Sequence, residues 1–140
     1  MKTFYHCLLM WIPFGLLFSL AGLGLEALEG NKIRTSEYMG LRDFGILYLF
    51  FIGSFAFMLY PISFLPLTFI VSKFIKSLLF KVIIFTFFGG VIGAFAFEII
   101  YARYINEYNL SMISSIIIFG IAGLLYALVE YSFKRNIKFV

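Results

Sequence analysis

The sequence predicts an all-α integral membrane protein, with four transmembrane helices in one compact bundle. Hydrophobic residues make up 63% of the 140 residues and include 20 Phe and 9 Tyr. Charged residues make up only 13%, about half of the quarter that soluble domains usually carry. A soluble fold of this length could not cover so much apolar and aromatic surface, so the composition excludes a soluble enzyme.

Four stretches are long enough for the roughly 20 helical residues that cross a bilayer core. The uncharged run after Asp43 is too long for one straight span, and Pro61 and Pro66 each remove a helix hydrogen bond. We therefore expect a kinked extension to residue 71. The connections are short, which predicts a single domain over residues 1–140. The predicted spans are about 5–25, 44–60 with the extension to 71, 82–101 and 110–131.

The first span has an alternative interpretation as a cleaved signal peptide. Lys2, an apolar run and the small residues Ser19 and Ala21 loosely fit that pattern. The apolar run is about 20 residues, longer than a usual signal segment, so we expect the span to be retained.

The orientation follows from the distribution of Lys and Arg, which accumulate on the cytoplasmic side of membrane proteins. Seven of the eleven lie at the N-terminus, in the second loop and in the tail, so both termini are expected to be cytoplasmic. The same rule explains the basic pI without a nucleic-acid partner. The first group is Lys2, Lys73, Lys76, Lys81, Lys134, Arg135 and Lys138; the other side has Lys32, Arg34, Arg42 and Arg103.

Small residues lie on one face of three predicted helices, and each face ends in a carboxylate. Because small side chains let helix backbones approach closely in lipid, these faces are predicted to pack, within one bundle or between protomers. The first has Gly15, Ser19 and Gly22 before Glu26; the third has Gly90 and Ala94 before Glu98, with Gly89 and Gly93 beside them; the fourth has Gly120, Gly123 and Ala127 before Glu130.

The three carboxylates are the candidate ion or proton sites, since ionisable residues inside a membrane often mark such routes. Glu98 is the first choice, because it shares a face with glycines and is the deepest on the non-cytoplasmic side. The alternative is that all three lie near helix ends and form ion pairs. The partners expected in that case are Arg103, Arg42, Lys134 and Arg135.

No catalytic, cofactor or metal site is predicted. Cys7 is the only cysteine, and the adjacent His6 points roughly 100° away from it on a helix. The segment from Gly22 to Ala27 matches a dinucleotide-binding pattern, but that pattern requires a strand, a tight turn and a helix in a soluble unit.

Two families of four-span proteins were considered on their motifs. The run from Gly89 to Ala94 resembles the glycine-rich run of small fluoride channels, but it stands in the third helix and leads to Glu98 instead of an arginine. The chain is similar in length and span number to small multidrug exporters, but Glu26 lies at the end of its helix. Neither family is assigned.

The Ile, Phe and Lys usage is similar to that of four-span proteins of low-GC Gram-positive bacteria. This likeness implies a bacterial plasma membrane.

Two hypotheses of function follow. The first is a non-enzymatic membrane protein that acts through helix–helix contacts, as an accessory, regulatory or immunity-type factor. The second is a homo-oligomeric transporter or channel with Glu98 as its proton or cation site. The expected partners are the lipid bilayer and either further copies of the chain or another membrane protein. An intramembrane enzyme is disfavoured because His6 is the only imidazole and no base accompanies the serines.

Overall fold

The computed structural model describes residues 2–137, and all regular structure in that range is helical. The all-helical class of the prediction is thus confirmed. The elements are α1 (Lys2–Leu9), α2 (Trp11–Leu28), a 3₁₀ turn (Gly30–Lys32), α3 (Leu41–Phe44), α4 (Ile46–Ile62), α5 (Phe64–Phe74), α6 (Leu78–Tyr101), α7 (Ile105–Tyr108) and α8 (Met112–Ile137).

Two groups of side-chain contacts define the ends of the bundle. Glu130 of α8 meets residues from α1, α5 and α6 at one end, and Glu26 of α2 meets residues from α4 and α6 at the other. We call these the Glu130 end and the Glu26 end. The chain therefore runs between them four times in alternating directions, through α1 and α2, through α4 and α5, through α6, and through α8.

Three helical segments are long and apolar enough to cross a membrane: residues Lys2–Lys32, α6 and the segment Met112–Asn136 within α8. The pair α4 and α5 makes a fourth if it counts as one span, because the two helices meet at an angle of 48°. The break lies at Ser63, between Pro61 and Pro66, neither of which can donate a backbone hydrogen bond.

The closest helix pair is α6 with α8. A ridge of buried residues at every fourth position follows α6 from one end to the other, as i,i+4 neighbours on a helix do. It comprises Lys81, Phe85, Gly89, Gly93, Phe97 and Tyr101.

Three glycines allow this approach. A side chain at Gly89 would collide with the carbonyl oxygen of Phe119, and one at Gly123 with that of Phe85. A Cβ at Gly93 would stand 2.6 Å from the backbone oxygen of Ser115. Small residues at these positions bring the two backbones into contact, which is how helices associate in lipid.

The face that carries Gly90, Ala94 and Glu98 lies beside this contact. Gly90 and Ala94 are half-buried, and the Glu98 side chain is exposed. The prediction that Glu98 lies on the packing face is therefore wrong, because the face of α6 that contacts α8 runs through Gly89 and Gly93.

The remaining small residues pack inside the bundle. On α2, Gly15 faces the ring of Phe57 and Gly22 faces Ile52, so this stripe contacts α4. Ser19 is buried and donates a 2.5 Å hydrogen bond to the Gly15 carbonyl. On α8, Gly120 and Ala127 are buried as well.

Aromatic rings fill the middle of the bundle. The ring of Phe14 lies 4.2 Å from Phe18, 4.8 Å from Phe64, 5.0 Å from Tyr60 and 5.9 Å from Tyr126, measured between centroids. Other aromatic side chains, including most of those on α4, face outward. Outward apolar rings suit a helix surrounded by lipid tails.

Candidate functional site

The Glu130 cluster consists of Glu130, Lys81, His6 and Ser72. The Glu130 carboxylate is fully buried, and its Oε2 accepts a 2.5 Å hydrogen bond from the Lys81 ammonium. Its Oε1 accepts one from the Ser72 hydroxyl at 2.5 Å and lies 3.2 Å from Nε2 of His6. Four helices, α1, α5, α6 and α8, are thus joined by one carboxylate.

The pairing of Lys81 with Glu130 explains how both charged groups can be buried. Both Lys81 and Glu130 have no exposed surface, and an isolated charge would be very costly there. A paired charge with its remaining acceptor sites occupied is tolerated. Lys134 adds a hydrogen bond to the backbone oxygen of Ser72.

A short polar chain continues from this cluster toward the aromatic core. The Tyr60 hydroxyl donates to the Cys7 carbonyl at 2.6 Å and lies 3.3 Å from the Tyr126 hydroxyl. The Tyr126 hydroxyl is 2.7 Å from that of Thr68. Each of these three buried hydroxyls therefore has a partner, as buried polar groups usually do.

The Glu26 cluster consists of Glu26 and three tyrosines. Oε2 accepts hydrogen bonds from Tyr38 and Tyr101 at 2.5 Å each, and from Tyr48 at 3.1 Å. Oε1 accepts one from the backbone N–H of Leu41 at 3.3 Å. Glu26 is only 2% exposed, yet it belongs to none of the ion pairs found within residues 2–137.

Tyr38 lies in the loop after α2, outside the spanning helices. Burial raises the pKa of its hydroxyl well above the usual range, and the hydrogen bond to Glu26 raises it further. The hydroxyl therefore stays protonated and donates to the carboxylate at physiological pH.

The chain closes tightly over this carboxylate. A side chain at Gly30 or at Gly40 would collide with the Glu26 carboxyl group. Nearby, Glu29 accepts hydrogen bonds from Lys32 at 3.0 Å and from the backbone N–H of Ser111 at 3.1 Å. The loop, α2 and the start of α8 are thereby held together at the Glu26 end.

A cavity of about 220 Å³ opens beside Glu26. Its charged lining residues are Glu26, Asp43, Arg34 and Arg42, and Tyr38 contributes to the wall. A second depression, of about 420 Å³, lies between α6 and α8 and is almost entirely apolar. We call it the α6–α8 groove; it is lined by Gly90, Ala94, Gly120, Thr86, Phe87, Val91, Ile116, Ile117, Ile121 and Leu124.

The candidate residues from the sequence separate into two groups. Glu26 and Glu130 are buried in the two clusters, whereas Glu98 and Arg103 are exposed. Arg103 lines a shallow polar depression in the turn after α6. The ion partner of Glu130 is Lys81, and the His6 ring lies within hydrogen-bond distance of the same carboxylate; the sequence had indicated neither residue.

The charge pattern predicts Lys81 in the second loop, whereas the structure places it in α6. The reason is that α6 begins at Leu78, four residues before the predicted span, which brings Lys81 inside the helix. The i+4 spacing of Lys81, Phe85 and Gly89 is the sequence signal that could have placed it on the packing ridge.

Within residues 2–137, no group of three or more His, Cys, Asp or Glu side chains is arranged to hold a metal ion. Comparison with known proteins finds no matching family, no similar curated protein and no similar solved structure.

Proposed function

We propose that this chain is a non-enzymatic, multi-pass protein of a bacterial plasma membrane. In this proposal it acts as an accessory, regulatory or immunity-type factor, through contacts between its helices and a helix of another membrane protein. The observation that carries the proposal is the α6–α8 groove on the outer surface of the bundle.

The groove has the composition of a helix-packing surface that the bundle leaves uncovered. Gly89, Gly93 and Gly123 are used in the contact between α6 and α8. Gly90 and Ala94 form the floor of the groove beside that contact. A transmembrane helix with small residues of its own could approach this floor closely, which is the main source of helix affinity in lipid.

Thr86 supports a helix as the occupant. Thr86 lines the groove, and its hydroxyl is buried without a hydrogen-bond partner among the described residues. Hydroxyl groups of this kind form hydrogen bonds across transmembrane helices, each worth roughly 1 kcal/mol.

The interior supports a contact role over a transport role. The carboxylate clusters tie the segments together at both ends, and aromatic rings occupy the space between them. A surface held in this way presents a fixed shape to a partner, and fixed shapes lower the entropy cost of binding.

For the arrangement in the membrane, we propose four spans with both termini in the cytoplasm. The Lys and Arg distribution supports this, because seven of the eleven belong to the termini and to the segment from Lys73 to Lys81, where α6 begins. The Glu130 end would then be the cytoplasmic end.

The groove can be tested by filling it. We expect the tagged wild-type chain to co-purify with a stoichiometric membrane partner from gently solubilised membranes, and Ala94→Leu to lose that partner. Ala27→Leu is the matched control, because Ala27 is exposed on α2. Retention of the partner by Ala94→Leu, or purification of the wild type without any partner, would refute the proposal.

The second candidate is a homo-oligomeric transporter or channel. It is favoured by the burial of two carboxylates at opposite ends of one bundle, since such residues often mark ion routes. This candidate assigns the proton or cation site to Glu98. It predicts ion or proton flux through liposomes that contain only this chain, and loss of that flux in Glu98→Gln. Flux that persists in Glu98→Gln removes Glu98 from the mechanism.

A further inference from the structure

The cavity beside Glu26 has chemical features that packing alone does not require. Oε2 of Glu26 receives three phenol hydrogen bonds, whereas Oε1 receives a single 3.3 Å bond from the Leu41 N–H. A carboxylate oxygen accepts at least two hydrogen bonds, and Oε2 here accepts three. Oε1 therefore retains the capacity to accept a further donor.

The charges around the cavity are of both signs and balance. Glu26 and Asp43 supply two negative charges, and Arg34 and Arg42 supply two positive charges. A ligand with a single charge would be attracted by one pair and repelled by the other. A ligand with an ammonium group and an anionic group could satisfy both pairs.

The side chains around the cavity can bind both an ammonium group and an anionic group. Arg guanidinium groups bind phosphate through paired N–H donors, and both Arg34 and Arg42 are exposed. A primary ammonium could donate to Oε1 of Glu26, and the neighbouring Tyr38 ring could contribute a cation–π contact.

The size and position of the cavity limit the ligand. Its volume of about 220 Å³ is below the roughly 300–1,000 Å³ of drug-sized ligand pockets. Glu26 lies two residues before the end of α2, and the last residue of α6 is Tyr101. The cavity therefore lies at the level where apolar helices end, which is the head-group level of a bilayer.

We propose that this cavity binds a small zwitterion, an aminoalkyl phosphate, with its ammonium on Glu26 and its phosphate on Arg34 and Arg42. The same chemistry is presented by an ethanolamine phospholipid head group and by soluble phosphoethanolamine. The inference is independent of the partner helix at the α6–α8 groove.

The first experiment uses the full chain in detergent and soluble phosphoethanolamine as the probe. We expect thermal unfolding, followed by helical circular dichroism, to shift upward by on the order of 5 °C near saturation. Phosphocholine should give a smaller shift, because its methylated nitrogen has no N–H to donate. An equal shift with inorganic phosphate alone would mean an adventitious ion only and would overturn the proposal.

Two variants separate binding from folding. The double variant Arg34→Gln and Arg42→Gln changes exposed side chains, so it should fold and lose the shift. Arg103→Gln is the control, an exposed arginine in the turn after α6, and should keep the shift. Glu26→Gln should also lose the thermal shift with phosphoethanolamine. If the arginine double variant keeps the shift, the assignment is wrong, whatever Glu26→Gln does.

The source of the ligand is then decided in bilayers. Wild type and the arginine double variant are reconstituted in vesicles of mixed phosphatidylethanolamine and phosphatidylglycerol, and native mass spectrometry records the lipid retained. Retention of phosphatidylethanolamine by the wild type alone assigns the site to lipid. A response to soluble phosphoethanolamine without retained lipid assigns it to a soluble ligand, and the absence of both overturns the proposal.

Discussion

The two ends of the bundle bury one carboxylate each and stabilise it in different ways. At the Glu130 end, an ammonium lies 2.5 Å from the carboxylate and cancels its charge. At the Glu26 end, three tyrosine hydroxyls and a backbone N–H surround the carboxylate, and no ion pair is formed within residues 2–137. The first arrangement is a closed ion pair, whereas the second leaves a charge beside a cavity. Hydrogen-bond donors therefore hold the buried Glu26 carboxylate in place without neutralising its charge, which can still attract a cation.

The largest expected effect comes from removing the cation at the Glu130 end. Lys81→Met leaves Glu130 buried without its ion-pair partner, which should lower the free energy of unfolding by about 3–5 kcal/mol. Denaturant unfolding in detergent micelles measures this. Lys76→Met, at an exposed lysine in the connection before α6, is the control, and an equal loss of stability in both variants would show that the ion pair is unimportant.

An intermediate effect is expected from removing one donor at the Glu26 end. Tyr101→Phe deletes a 2.5 Å hydrogen bond to a carboxylate that has no cation, and should cost about 1.5–3 kcal/mol. The same unfolding measurement applies. Tyr5→Phe removes an exposed hydroxyl at 63% exposure and should leave stability unchanged; a Tyr101→Phe variant as stable as wild type would mean that the tyrosines do not support Glu26.

The smallest effect is expected from removing the Ser72 hydroxyl at the Glu130 end. Ser72→Ala also deletes a 2.5 Å hydrogen bond to a buried carboxylate, but Lys81 still neutralises Glu130. We expect a cost of about 1 kcal/mol, below that of Tyr101→Phe, with Ser132→Ala, at an exposed serine on α8, as control. If Ser72→Ala proves as costly as Tyr101→Phe, the two ends do not differ in the way that their charges suggest.

The sequence predicts the helical class well because the patterns concerned are local. A long apolar run is visible in one segment, and so are the i,i+4 and i,i+3 spacings of Gly15, Ser19 and Gly22. The position of the bend near Pro61 and Pro66 follows from the chemistry of a single residue type. None of these inferences needs to know which helix lies next to which.

The partners of the buried carboxylates could not be predicted in this way, because they depend on contacts between segments far apart in the chain. Lys81 and Glu130 are separated by 49 residues, and Tyr101 and Glu26 by 75. A lysine near the end of an apolar run is usually assigned to the interface, and so is a tyrosine. Both rules describe isolated helices, so they do not reveal that Lys81 and Tyr101 are buried against carboxylates of other helices.

The ridge along α6 has a consequence for the membrane around the protein. Lys81 and Tyr101 are twenty positions apart on one unbroken helix, which corresponds to about 30 Å of rise. That distance is close to the thickness of the hydrocarbon layer, and neither end can shift along α6 without breaking its own cluster. The spacing between the two polar ends of α6 is therefore fixed by the chain. In a thinner or thicker bilayer, either the lipids adjust their thickness around the protein or the whole bundle tilts.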